Sequence, residues 1–333
     1  MGRAQPGRRG HRLSAQPRSW GAIRLPAALG TIYVVWGSTY LAIRIMVETL
    51  PPLLSAGVRF ATAGAVFWAV LRLRGGARRV RVTRRQAGYA LVAGSLLCFG
   101  GNGLVTVAEQ EVPSGLAALI IGAVPLWVVT MRMADGDRVP PGTLAGVALG
   151  FIGLAVLVLP GDRPGGAPLW GVLMIVAASI SWAAGSYYSK RMDLPPDALV
   201  STALQMLLGG GAMVVAGLLA GETGDVHFAE FSGRSLAAFG YLIVFGSLLA
   251  FTAYTWLLQN APISTVATYA YVNPVIAVAL GALVLSEEIT LTVLVGTVAI
   301  VASVAAVVRR ESGPAMAGET TPARTGRPWR RRG

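Results

Sequence analysis

Cysteine, histidine and acidic residues are all scarce in this chain. Its 333 residues include one cysteine, two histidines and 15 Asp plus Glu. Cys98, alone within an apolar stretch, excludes a disulfide framework and a thiolate metal site. His11 and His227 are too few for a histidine metal centre, so neither a metal nor a cofactor is expected. Charged residues make up only 13%, against 54% hydrophobic residues and 42 glycines, which excludes an ordinary soluble domain. What is left is the composition of a polytopic membrane protein. The formal net charge of +13 does not indicate nucleic acid, because the arginines collect in the tails and in one loop between apolar runs.

A helix rising roughly 1.5 Å per residue needs about 20 apolar residues to cross the hydrocarbon. Runs of that kind lie near 27–47, 53–71, 87–107, 114–131, 142–160, 169–188, 197–219, 236–258, 264–284 and 290–308. The expectation is an all-α membrane protein of ten transmembrane helices. The first run follows an Arg-rich leader, residues 1–26, and is too long for the core of a signal peptide. Residues 72–86 hold seven arginines, whereas the neighbouring hairpins hold Glu48 or Glu109 and Glu111. Placing the arginines in the cytoplasm puts both termini there as well, in a cytoplasmic membrane. The tail from 309 to 333, rich in Pro, Gly and Thr with Arg330–Arg332 at its end, is expected to be disordered and basic.

The chain repeats itself. QEVPSGLAALIIGAVP at 110–125 aligns with QNAPISTVATYAYVNP at 259–274, an offset of 149 residues that pairs Gln110 with Gln259 and Pro125 with Pro274. Trp36, Arg44 and Pro51-Pro52 recur as Trp182, Arg191 and Pro195-Pro196, at offsets of 146, 147 and 144. The repeat unit is five helices, 27–160 and 169–308. Five is odd, so the two copies cross the membrane in opposite directions, the inverted arrangement of many secondary transporters. A solute site is then expected where the repeats meet, in helices interrupted by proline or glycine. Pro125 and Pro274 each remove a backbone donor and free a carbonyl about one turn earlier, which suits a cavity wall or a packing kink.

In IYVVWGSTYLAIR, Tyr33, Trp36/Gly37, Tyr40 and Arg44 share one helical stripe, and Ser179, Trp182, Ser186 and Lys190 form its counterpart in the sixth span. Two facing stripes would line one cavity; alternatively Gly37, Ser38 and Gly185 serve close helix packing and the tyrosines anchor at the interface. Arg59 lies roughly 10 Å into its helix, where a guanidinium holds a substrate carboxylate, pairs with Glu48 or snorkels outward. Asn102, Thr106, Gln205, Tyr254, Thr265, Tyr269 and Asn273 complete the candidate lining or form interhelical hydrogen bonds. Glu109, Glu111, Glu287 and Glu288 read as solvated helix-end caps. Gly146 and Gly150 have GxxxG spacing, suited to helix packing or to a dimer.

Together WGSTYLAIR, PPLLSAGVRF, GNGLVTVAEQEVPSGLAALIIGAVPLW, SISWAAGS and TVATYAYVNPVIAVALGALVLSEE resemble the EamA family of the drug/metabolite transporter superfamily, particularly its YedA-like exporters. The resemblance covers about residues 27 to 308. It implies two inverted five-helix EamA repeats, a central cavity, and efflux or facilitated movement of amino acids, related metabolites or drugs. By position it points to Trp36, Ser38, Arg59, Asn102, Gln110, Pro125, Trp182 and Asn273. The family's Gly-Glu after the ninth span is replaced by Ser286-Glu287, and its counterpart after the fourth reads Gly136-Asp137. The expected partners are a small-molecule solute and membrane lipid, with protons as a coupling ion or none, in a monomer or homodimer without nucleic acid. A different class, a lipid scramblase or membrane-embedded enzyme, would need interfacial catalytic clusters, for which the loop GETGDVHFAEFSGRS offers only His227 with nearby carboxylates.

Overall fold

The structure, a computed structural model, describes residues 19–158, 164–261 and 263–311. Most of the leader, residues 159–163, Pro262 and the tail from 312 lie outside the described residues, so the expected end of the first repeat at 160 lies outside them too. Among the described residues all regular structure is helical. The spans are α1 (Ser19–Met46), α2 (Pro52–Arg79), α3 (Arg84–Ala108), α4 (Ser114–Ala134), α5 (Pro141–Val158), α6 (Leu169–Tyr188), α7 (Ala198–Leu219), α8 (Gly233–Leu258), α9 (Tyr269–Leu285) and α10 (Leu291–Glu311). Nine regions among the described residues are long and apolar enough to cross a membrane, and α9 is a shorter apolar helix of 17 residues. It is short because the turn Ile263–Val266 is split from it at residues 267–268.

Local chemistry sets the helix starts. Proline begins α2 and α5, where its missing N–H is no loss. Thr83 and Gln86 form a capping box at α3, and Asp197 and Ser232 cap α7 and α8.

The repeats interlock rather than sit side by side. α1 packs against α8 and α9, while α6 packs against α3 and α4. α2 packs along α7, and α5 along α10. Glycines permit this closeness: a Cβ on Gly64 would lie 2.5 Å from Leu207 N, and one on Gly210 the same distance from Ala61 N. Gly146 and Gly150 serve the α5–α10 seam in the same way, facing Val307 and Ser303, and Ser303 Oγ donates to the Gly146 carbonyl at 2.6 Å. Their GxxxG spacing is therefore used inside the chain.

Two features recur at the repeat offset. α3 widens into π-helix over Ser95–Gly103 and α8 over Leu242–Leu249, about 147 residues apart. α4 breaks at Gly122-Ala123, with Pro125 in the first turn of its second half. Pro274, by contrast, lies inside α9, and the chain there breaks at Thr268 instead. The α4 break meets α9 at this proline, since a Cβ on Gly122 would lie 3.1 Å from Pro274 Cγ.

At the end of the bundle opposite the arginine-rich loop, called here the acidic face, two carboxylates cap helices of the other repeat. Glu222 accepts from Leu53 N (3.0 Å) and Leu54 N (2.8 Å) at the start of α2. Glu287 accepts from Ser114 N (2.7 Å), Ser114 Oγ (2.9 Å) and Gly115 N (3.0 Å) at the start of α4. Ser286 brings Glu287 there by taking a left-handed backbone, φ 56°. A side chain in that region costs about 1–2 kcal/mol, and the corresponding Gly136, at φ 91°, avoids it. Ser286→Gly should therefore stabilise the fold by about 1 kcal/mol, read as a higher melting temperature of the purified protein.

Candidate functional site

Where the repeats cross, the helices enclose a cavity of about 880 Å³ counting its open mouth. Both halves line it. Trp36, Thr39 and Tyr40 come from α1, Arg59 from α2, Gly101 and Asn102 from the α3 π-helix, and Pro125 from the second half of α4. Trp182 of α6, Gly246 and Phe251 of α8, and Tyr269, Asn273 and Pro274 of α9 complete the wall. Nine of the expected site residues thus converge: Trp36, Tyr40, Arg59, Asn102, Pro125, Trp182, Tyr269, Asn273 and Pro274.

The π-helices shape this wall. Their backbone bonds run from residue i to i+5 rather than i to i+4, and side chains of the other repeat bond two of their carbonyls. Ser181 Oγ donates to the Leu96 carbonyl at 2.8 Å, and Trp36 Nε1 to the Gly246 carbonyl at 3.3 Å. The Trp182 ring lies against Gly101, where a Cβ would come within 2.6 Å of it. Trp36 is fixed further by aromatic neighbours, with ring centroids 5.3 Å from Phe251, 5.1 Å from Tyr254 and 5.2 Å from Tyr269.

Arg59 is 3% exposed. Its Nε donates to Ser247 Oγ at 3.0 Å, and its guanidinium carbon sits 4.5 Å from the centroid of the Phe60 ring. It neither snorkels nor pairs with Glu48, whose carboxylate is 3.6 Å from Arg234. Its Nη1 has no hydrogen-bond partner in the structure. Asn102 Nδ2 donates to the Leu97 carbonyl at 3.2 Å, and the Asn273 amide, oriented to donate, reaches the carbonyls of Tyr269 and Tyr33 at 3.3 Å.

Five residues of the expected lining, Ser38, Thr106, Gln205, Tyr254 and Thr265, stand apart from the cavity, and Thr106 Oγ1 donates to the Asn102 carbonyl of its own helix at 2.9 Å. Ser38 lies between α1 and α8, its Oγ donating to the Val35 carbonyl and 2.7 Å from Tyr241 Oη. A one-turn hydroxyl of this kind is satisfied by its own helix. Gln205 lies between α7 and α3; its Nε2 donates to Ser201 Oγ at 2.8 Å and its backbone carbonyl packs on Gly94. Tyr254 backs the cavity wall through Trp36 and Tyr269, 5.9 Å from the latter. Sequence reasoning missed Thr39, Gly101, Gly246, Ser247 and Phe251; the cluster GGNG at 100–103 was the available signal for the π-helix. His227 is exposed in the loop between α7 and α8.

The reading of Glu109 as a solvated cap is corrected: it is fully buried, whereas Glu111 and Glu288 are exposed. Near it Arg44 donates to the carbonyls of Glu109 and Gln110, tying α1 to the corner between α3 and α4. Ser235 Oγ ties the start of α8 to the Ile45 carbonyl at 2.8 Å. At the arginine-rich end, Arg79 pairs with Asp197 at 2.8 Å. Asp135 accepts from Arg191 and, at 3.0 Å, from Tyr187. The Arg191 bond first and the Tyr187 bond second hold the Asp135 carboxyl below its ordinary range, so this clasp between α4 and α6 persists until acid reaches that lowered value.

Residues 27–159 and 169–309 match the sequence model of the EamA-like transporter family. The chain is similar to the "Uncharacterized inner membrane transporter YedA" of Escherichia coli (strain K12), 42% identical over 255 residues, or 76% of this chain and 80% of the relative. It is also similar to a "Probable amino-acid metabolite efflux pump" of the same organism, 25% identical over 268 residues, or 78% of this chain and 86% of the relative. A solved crystal structure superposes with a TM-score of 0.60 at 22% identity, covering 86% of this chain and 98% of the other. That likeness bears on the fold alone.

Proposed function

Because the chain belongs to the EamA-like transporter family, we propose that it moves small metabolites by alternating access around the central cavity. Amino acids or related solutes, and drugs of similar size, are the proposed cargo, and export from the cytoplasm the proposed direction. One observation carries the reading: residues of both inverted repeats line one cavity at their crossing, where rocking one repeat against the other would expose it to either face. The similar efflux pump named above supports amino acids as the first class to test. Trp36, Trp182 and Tyr269 supply apolar faces on which a side chain stacks, Arg59 attracts an anionic group, and Asn102 and Asn273 supply hydrogen-bonding amides. The arginine-rich loop lies in the cytoplasm on this reading, with both termini on the same side of a cytoplasmic membrane.

The test is uptake of radiolabelled amino acids into proteoliposomes, with and without a proton gradient. Saturable uptake is expected for the wild type. Trp36→Ala should weaken apparent affinity about tenfold, by removing a ring that both stacks and holds the α8 wall. Uptake that is saturable but indifferent to Trp36→Ala would place the solute elsewhere in the protein.

A further inference from the structure

Glu109 follows α3 directly and is 0% exposed. Arg44 holds its backbone carbonyl, but neither carboxyl oxygen has a hydrogen-bond partner. On the same face the Glu222 and Glu287 carboxylates are each filled by amides at a helix start. An ionised carboxylate stranded without donors gives up its hydration for nothing, so such a position favours the neutral acid. Titratable and charged groups face it from Tyr40 and Arg44 on α1, Arg59 on α2 and Glu287 beyond α9. α6 packs on the same corner through Gly171 and carries no charged residue from Leu169 to Ser186.

Neither arginine pairs with the Glu109 carboxylate: Arg44 uses Nη1 on backbone carbonyls, and Arg59 uses Nε on Ser247. Burial first and Glu287 second hold the Glu109 carboxyl well above the ordinary glutamate range, against the pull of Arg44 and Arg59. The same arginines are positioned to stabilise the ionised form if the corner between α3 and α4 moves.

We infer that Glu109 is a proton-binding site beside the central cavity, protonated in the state seen here and discharged to water on the acidic face when the Arg44 contacts to residues 109 and 110 open. Its proton passes to water on that face, leaving the carboxylate beside Arg44. Tyr40, Arg59 and Val105 line the cavity, and Glu109 follows Val105 by one helical turn, its N–H donating to the Val105 carbonyl at 2.9 Å, which links proton occupancy to whatever occupies the cavity. The inference deepens the transporter reading and rests on it only for the use made of the proton.

The probe is therefore the proton itself. Full-length protein in lipid bilayers is titrated by infrared difference spectroscopy between about pH 5 and pH 9, a range that buried glutamates reach, following the C=O stretch of a protonated carboxyl. The wild type and Glu111→Gln should show a band that disappears well above the ordinary glutamate pKa of about 4.3. Glu109→Gln should lack it, with an unchanged melting temperature showing that it folds. Arg59→Gln should raise the midpoint by about one pH unit, because a nearby positive charge favours the carboxylate. A wild type without the band, a band that survives Glu109→Gln, or a midpoint indifferent to Arg59→Gln would overturn the inference. None of these readouts needs a solute, so failure of every solute to move in proteoliposomes would refute the transporter reading separately.

Discussion

Arg59→Gln should abolish or nearly abolish solute exchange in proteoliposomes while the protein still folds. The guanidinium is buried at the cavity wall, anchored on one side by Ser247 and by the Phe60 ring, with Nη1 unpartnered. On the proposed reading Arg59 pairs with an anionic group of the solute, and losing one member of such a desolvated charge pair costs about 2–5 kcal/mol, which is roughly 30-fold or more in affinity. Glutamine keeps a donor for Ser247 and removes a buried charge, so the fold has little to lose. Arg59→Lys should fail almost as badly, because an ammonium cannot bond Ser247 and a bound anion in the same planar fork. The check is counterflow of a radiolabelled amino acid that the wild type moves, beside a melting curve for each variant. Normal exchange by Arg59→Gln would reduce Arg59 to a structural residue.

Glu287→Ala should destabilise the protein by about 2–4 kcal/mol. Its carboxylate is the cap of α4, accepting two backbone N–H groups and the Ser114 hydroxyl from the other repeat. Bonds to a charged acceptor contribute more than neutral ones, and the amides at a helix start have no partner within the helix. Glu222→Ala should act similarly at α2, through two backbone donors. The two caps serve different helices, so their effects should nearly add in the double variant. Denaturation of the purified protein at several detergent concentrations would measure both. A melting temperature unmoved by Glu287→Ala would mean that water satisfies those donors equally well.

The helices were legible because lipid leaves them so few alternatives: long apolar runs and the offset of 144 to 149 residues needed no tertiary knowledge. The cavity was legible through the same repeat, since Trp36 and Trp182, which recur at its offset, both line it. What escaped were effects of packing between helices. Ser38 sits one residue from Gly37 yet turns towards Tyr241, a rotation that the stripe reading of α1 did not resolve. Glu109 looked like a loop residue because it follows a span, but the Arg44 contacts fold that corner inward. The π-helices left only a glycine cluster as their trace, and the break in α9 fell six residues before the proline expected to make it.

The most direct test of alternating access needs no knowledge of the solute. With Cys98 replaced by alanine, a single cysteine is placed at Thr39 in the cavity or at Gln205 outside it. Each is exposed to a membrane-impermeant maleimide in right-side-out and in inverted vesicles. The account predicts labelling at position 39 from both faces and at position 205 from neither. Labelling at 39 from one face only, or equal labelling at both positions, would contradict it.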